Sequence, residues 1–103
     1  MRNSKKNKFL DSKKNAESIH FKKRMIQRYN IFFNRYEKRQ MIEDIQTNSN
    51  GAEFIYHQNF SKSVWSIIIQ DQRIPVVYVR RRQSLVTVLT WKMVKENVSK
   101  KTV

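Results

Sequence analysis

Ser63-Val64-Trp65-Ser66-Ile67-Ile68-Ile69-Gln70-Asp71-Gln72-Arg73-Ile74-Pro75-Val76-Val77-Tyr78-Val79-Arg80-Arg81-Arg82-Gln83-Ser84-Leu85-Val86-Thr87-Val88-Leu89-Thr90-Trp91 decides the fold. Three short β-branched runs are separated by polar interruptions, the pattern of strands joined by tight turns. Ser63–Ile69 is apolar on both sides near Ile67, Ile68 and Ile69, as a central strand must be. Gln70–Arg73 makes a turn, and Pro75 stands near the start of the next strand, where a missing N–H is tolerable. Val76–Val79 leads into Arg80–Gln83, a second turn, and Leu85–Trp91 makes the last strand. Upstream, Glu53–Gln58 alternates, which predicts Phe54 and Tyr56 on one side and Ile55 and His57 on the other. Asn59–Lys62 joins it to the central strand. Connections this short require antiparallel pairing, so the four strands form a meander.

Before the sheet the period changes. Stepped at 100° per residue, Ser18–Tyr29 separates Ile19, Phe21, Met25, Ile26 and Tyr29 from an arc of His20, Lys23, Arg24, Gln27 and Arg28. This predicts a helix over about 18–29, with Ser18 as N-cap and Asn30 as a left-handed exit residue. Ile31, Phe32 and Phe33 form an apolar connector. Asn34 and Glu37 have the spacing of a capping box, and Met41, Ile42 and Ile45 share one face of a second helix over 35–47. Thr47–Gly51, which holds the only glycine, ends it. The expected fold class is α+β, with two N-terminal helices packed on a four-stranded antiparallel meander. Residues 1–17 read as a flexible basic arm, 18–95 as a single domain and 96–103 as a frayed basic tail, after a short helix through Met93 and Val94. Apolar residues on both sheet faces require cover for the second face from loops, the C-terminal segment or a second copy in a homodimer.

The chain has 103 residues, with 22 Lys and Arg against 8 Asp and Glu, a net charge of +14. Such an excess repels itself in a compact state, so it points to an anionic partner, nucleic acid before a membrane surface. Residues 1–17 alone carry six basic side chains. Cysteine is absent, which excludes disulfides and thiolate metal sites, and two histidines make a protein-built metal centre improbable. No cofactor is expected. No apolar run approaches the ~20 residues of a membrane span, so a cytoplasmic location without membrane contact is the expectation.

His20, Arg24 and Arg28 recur at i, i+4 and i+8, one column on three successive turns. A histidine that carries protons near neutral pH, beside arginines that stabilise phosphorane charge, would suit metal-free RNA cleavage. The commoner role of such a basic helix face, which includes Lys22 and Lys23, is plain phosphate contact. Tyr78, Arg80, Thr87 and Thr90 could line a sheet face near the first helix, with His57 close to Tyr78. Arg80-Arg81-Arg82 at a hairpin tip is a phosphate-binding candidate, though a charged turn also guards a sheet. Trp65 and Trp91 read as core, with base stacking the minority reading.

Ser18-x-His20-x-x-x-Arg24-Met25-x-x-Arg28 followed by Val86-Thr87-Val88 resembles a family of small bacterial and phage domains of unknown function. Those open on His-x-x-x-Arg-Met-x-x-Arg and close on a Val-Thr-Val strand. They are distantly similar to RelE-type members of the barnase–EndoU–colicin–RelE ribonuclease superfamily. The resemblance spans roughly residues 18–91 and implies helices on a curved antiparallel sheet, with a nucleic-acid-directed site between the first helix and the last strands. The family's histidine falls on His20, its arginines on Arg24 and Arg28 and its strand threonine on Thr87; in a ribonuclease of this type His20 would be general acid or base, Arg24 and Arg28 would stabilise the phosphorane, and Tyr78 or Thr87 would orient the substrate. The chain departs from the family where Arg28-Tyr29-Asn30-Ile31 stands for the usual Arg-Gly-Ile.

Three functions follow as alternatives. The first is a nucleic-acid-binding protein, for RNA before DNA, that grips phosphates through Lys22, Lys23, Arg24, Arg28, Arg80, Arg81 and Arg82. The second is a metal-independent RelE-type endoribonuclease toxin, which would bring an antitoxin as partner. The third is a phage-type interaction protein that docks on an acidic host protein.

Overall fold

A computed structural model describes the backbone of residues 4–101 and the side chains of residues 16–98. Its elements run α1 (Ser4–Tyr29), α2 (Arg35–Thr47), β1 (Glu53–His57), β2 (Lys62–Ile69), β3 (Gln72–Val79), β4 (Ser84–Val88) and α3 (Trp91–Lys101). The strands pair antiparallel in the order β1-β2-β3-β4, so the α+β meander behind two N-terminal helices is present.

Two apolar layers flank the sheet. On one face Phe21 and Met25 of α1, Ile31, and Met41 and Ile45 of α2 bury against Ile67, Ile69, Ile74, Val76, Leu85 and Val88. On the other, Val94 of α3 packs on Tyr56, Val64, Val77 and Leu89. Of the three covers open to the second face, the C-terminal segment supplies it. α3 is capped by Thr90, whose hydroxyl oxygen accepts from the Met93 N–H at 3.1 Å.

Local chemistry fixes the connections. Asn34 Oδ1 accepts from the Glu37 N–H at 2.8 Å and Glu37 Oε1 accepts from the Asn34 N–H at 2.9 Å, a reciprocal capping box. Asn30 leaves α1 at φ +55°, in the left-handed region that Asn tolerates. The β2–β3 turn places Gln70 and Asp71 at φ +50° and +62°, the mirror-image geometry that matches strand twist. The Gln70 amide then donates to the Phe32 carbonyl and the Glu37 carboxylate, both at 2.9 Å, which ties this turn to the start of α2.

Several expectations are corrected. α1 begins at Ser4, so residues 4–17 of the expected arm are helical backbone, and Ser18 is an interior residue that accepts from Lys38 Nζ instead of a cap. Residues 1–3 and 102–103, the ends of the expected arm and tail, lie outside the described residues; α3 runs to Lys101, well past the short helix expected there. Ile19 is 64% exposed and does not dock with the rest of its arc, and Phe32 of the connector is also exposed. The alternation of β1 breaks because a bulge between Phe54 and Tyr56 turns Phe54 and His57 to one face and Ile55 and Tyr56 to the other. β4 stops at Val88; Thr90 caps α3, and Trp91 opens that helix at 40% exposure, outside the core. Pro75 stands inside β3, opposite Ser66.

Candidate nucleic-acid interface

α1 runs along β4. Near one end Glu17 pairs with Arg82 of the β3–β4 turn at 2.9 Å, and further along Arg28 Nη1 donates to the Val88 carbonyl at 2.7 Å. The next residue, Tyr29, donates its hydroxyl to the Leu89 carbonyl at 2.6 Å. Burial holds the Tyr29 hydroxyl's pKa above its ordinary value, although the Arg28 charge works against that. Lys38 of α2, beside Ser18, is pushed down by burial, and Glu17 partly opposes the shift.

The helix column divides by role. Glu17, Arg24 and Arg28 lie close to one line on α1, with Arg24 two turns, about 10 Å, past Glu17. Arg28 is engaged by the backbone of β4, and Arg24 donates to Gln27 on its own helix at 2.7 Å. His20, Lys22 and Lys23 are exposed. Arg80 and Arg81 are exposed on the turn that Arg82 fastens to α1 at Glu17. Among the described residues, neither these lysines nor Arg80 and Arg81 make an ion pair.

Tyr78 and Thr87 are not brought together. Thr87 pairs with Val77, which belongs to the α3 layer, whereas Tyr78 belongs to the layer beneath α1 and α2. Paired residues share a sheet face, so the two hydroxyls lie on opposite sides of the sheet. The expectation of Tyr78, Arg80, Thr87 and Thr90 on one face near α1 therefore fails for both threonines.

Tyr78 opens instead onto a cleft of about 800 Å³ at the side of α2, where its hydroxyl accepts from Gln46 Nε2 at 3.1 Å. His57, Ser63 and Tyr78 form one row across β1, β2 and β3, because His57 pairs with Ser63 and Ser63 with Tyr78. All three line the cleft, as do Phe54, Trp65, Arg80, Asn48 and Gln83. None of His20, Arg24, Arg28 and Thr87 does. Phe54 packs against His57 with ring centroids 4.9 Å apart and the planes tilted by 57°, and it meets Trp65 edge-on at 5.6 Å. Trp65 is half-buried against the core, and its indole N–H donates to Ser63 Oγ at 3.0 Å.

No family model matches this chain, and no curated protein or solved structure does either. The site rests on its own geometry. The described residues contain no cluster of His, Asp and Glu that could hold a metal ion, and no helix long and apolar enough to cross a membrane. Sequence reasoning missed Phe54, Gln46, Asn48, Ser63 and Gln83. Phe54 and His57 read as opposite-facing until the bulge is known, and the α2 amides reach the cleft only through the helix's placement beside the sheet.

Proposed function

We propose that this protein binds nucleic acid through phosphate contacts made by α1 and the β3–β4 hairpin. The observation that carries the reading is the Arg82–Glu17 pair, which docks the Arg80–Gln83 turn on α1. That contact holds Arg80 and Arg81 beside the helix whose following turns carry the exposed Lys22 and Lys23, on a chain of net charge +14. Cations on two segments fastened to each other can neutralise phosphates and release their counterions. RNA is the preferred partner.

The binding reading is favoured over catalysis because the hydroxyls and the histidine assigned to cleavage do not converge. His20 stands on the solvent side of α1, Thr87 faces α3, and Arg28 holds a backbone carbonyl. The test is fluorescence anisotropy with a labelled RNA in EDTA at several salt concentrations. The logarithm of the affinity should fall linearly with log[salt], and Lys23→Ala or Arg81→Ala should each reduce the slope by about one. No binding at low salt overturns the proposal. Cleavage that leaves 2′,3′-cyclic phosphate ends and disappears in His20→Ala would replace it with the RelE-type ribonuclease reading.

A further inference from the structure

We infer that the cleft between α2 and strands β1–β3 receives an unpaired base of a single-stranded RNA, an inference that rests on the nucleic-acid reading above. Phe54 is 47% exposed although its neighbours are ordered around it: His57 packs on it at a tilt of 57° and Trp65 meets it edge-on. Trp65 is itself fixed by its bond to Ser63 and by packing on the core. The aromatic group is therefore preorganised, and a base that stacks there meets rings that need no ordering on binding.

The chemistry of the walls selects the occupant. Among the described residues no carboxylate lines the cleft, and Arg80 supplies a guanidinium to its lining. A base with its flanking phosphate matches both features, since the ring takes the aromatic surface and the phosphate takes the cation. The amides of Gln46, Asn48 and Gln83 can each donate and accept, as base edges and a ribose 2′-hydroxyl require. Ligand clefts run from about 300 to 1,000 Å³, and this one lies within that range. Arg80 also belongs to the hairpin, so a strand that follows the cationic surface would enter the cleft at this residue. A duplex keeps its bases in the stack and can offer only its backbone.

The experiment compares a single-stranded RNA decamer with its perfect duplex and with single-stranded DNA of the same sequence, by anisotropy in EDTA. The proteins are wild type, Phe54→Ala and Phe54→Trp. The wild type should prefer the RNA strand. Phe54→Ala should weaken it roughly 5- to 100-fold with the salt slope unchanged, and leave duplex binding as it was. Phe54→Trp should restore affinity. In a Trp91→Phe background, the remaining fluorescence of Trp65 should be quenched by the RNA strand. Equal binding of strand and duplex, with no effect of Phe54→Ala, overturns the cleft but not the phosphate surface. Equal binding of the DNA strand overturns the assignment to RNA. If wild type binds none of the three, the nucleic-acid reading itself fails.

Discussion

The Tyr29 hydroxyl donates to the carbonyl of Leu89, the one acceptor that Pro75 cannot satisfy. Leu89 N–H donates to the Pro75 carbonyl at 2.8 Å, so the two residues face each other across the ladder. An ordinary residue at 75 would return a second bond from its N–H to the Leu89 carbonyl. Proline has none, and α1 supplies the donor from outside the sheet at 2.6 Å. This explains how a proline sits inside a central strand.

Tyr29→Phe should therefore destabilise the fold by about 1–3 kcal/mol, since it leaves a partly buried carbonyl unpaired. Urea unfolding checks this. The folded-state pKa of Tyr29 lies above its ordinary value of 10.0, so the folded state keeps the proton that the unfolded state loses first. The stability this group adds is complete below pH 10 and is lost as pH rises through the raised value. Stability of Tyr29→Phe should fall less steeply than that of wild type over this alkaline window.

Arg28→Ala and Arg24→Ala should part company. Arg28 makes a charge-assisted bond to the Val88 carbonyl, so its loss should cost about 1.5–3 kcal/mol and lower the thermal midpoint. Arg24 reaches only Gln27 on its own exposed helix face, and its loss should stay within about 0.5 kcal/mol. Equal midpoints for the two variants would show that the Val88 contact contributes nothing.

Asn34→Ala should cost about 1 kcal/mol by removing one half of the capping box. Glu37 supplies the other half, and bonds from Gln70 and from the Asn34 N–H hold its carboxyl below the ordinary carboxylate value. That contribution is present above the unfolded value and fades as pH falls through the folded one. Glu37→Gln should flatten the acid limb of a stability–pH curve measured by circular dichroism.

Asp71→Gly should stabilise the fold by about 0.5–1 kcal/mol. Asp71 occupies φ +62° at the second central position of a two-residue hairpin, where glycine meets no penalty. Gln70 beside it should not be replaced, because its amide ties the turn to Phe32 and Glu37. Chemical denaturation of Asp71→Gly and Gln70→Gly distinguishes the two positions, since the first should gain stability and the second should lose it.

Where a local rule decides the structure, the sequence was legible. The capping box at Asn34 and Glu37, the left-handed exit at Asn30 and the tight turns of the meander each follow from a few adjacent residues. Long-range events were not. The bulge in β1 adds one residue to a period of two and moves His57 to the same face as Phe54. The ladder places Thr87 against Val77, away from Tyr78. Arg28 reads as a solvent-facing cation because nothing near it in sequence announces the Val88 carbonyl. α1 extends back to Ser4 through a segment with no apolar stripe to mark it.

The strand order also limits how this protein can associate with itself. The sheet terminates in β1 and β4, and α1 lies along β4 with Arg28 seated on a carbonyl of that strand. A strand added beside β4 would have to displace the Arg28 bond to the Val88 carbonyl, so pairing beside β1 is the less obstructed route and would give one double-length sheet about a two-fold axis. Each outer end of that sheet would then carry the same arginine bond, a local obstacle to the addition of a further strand.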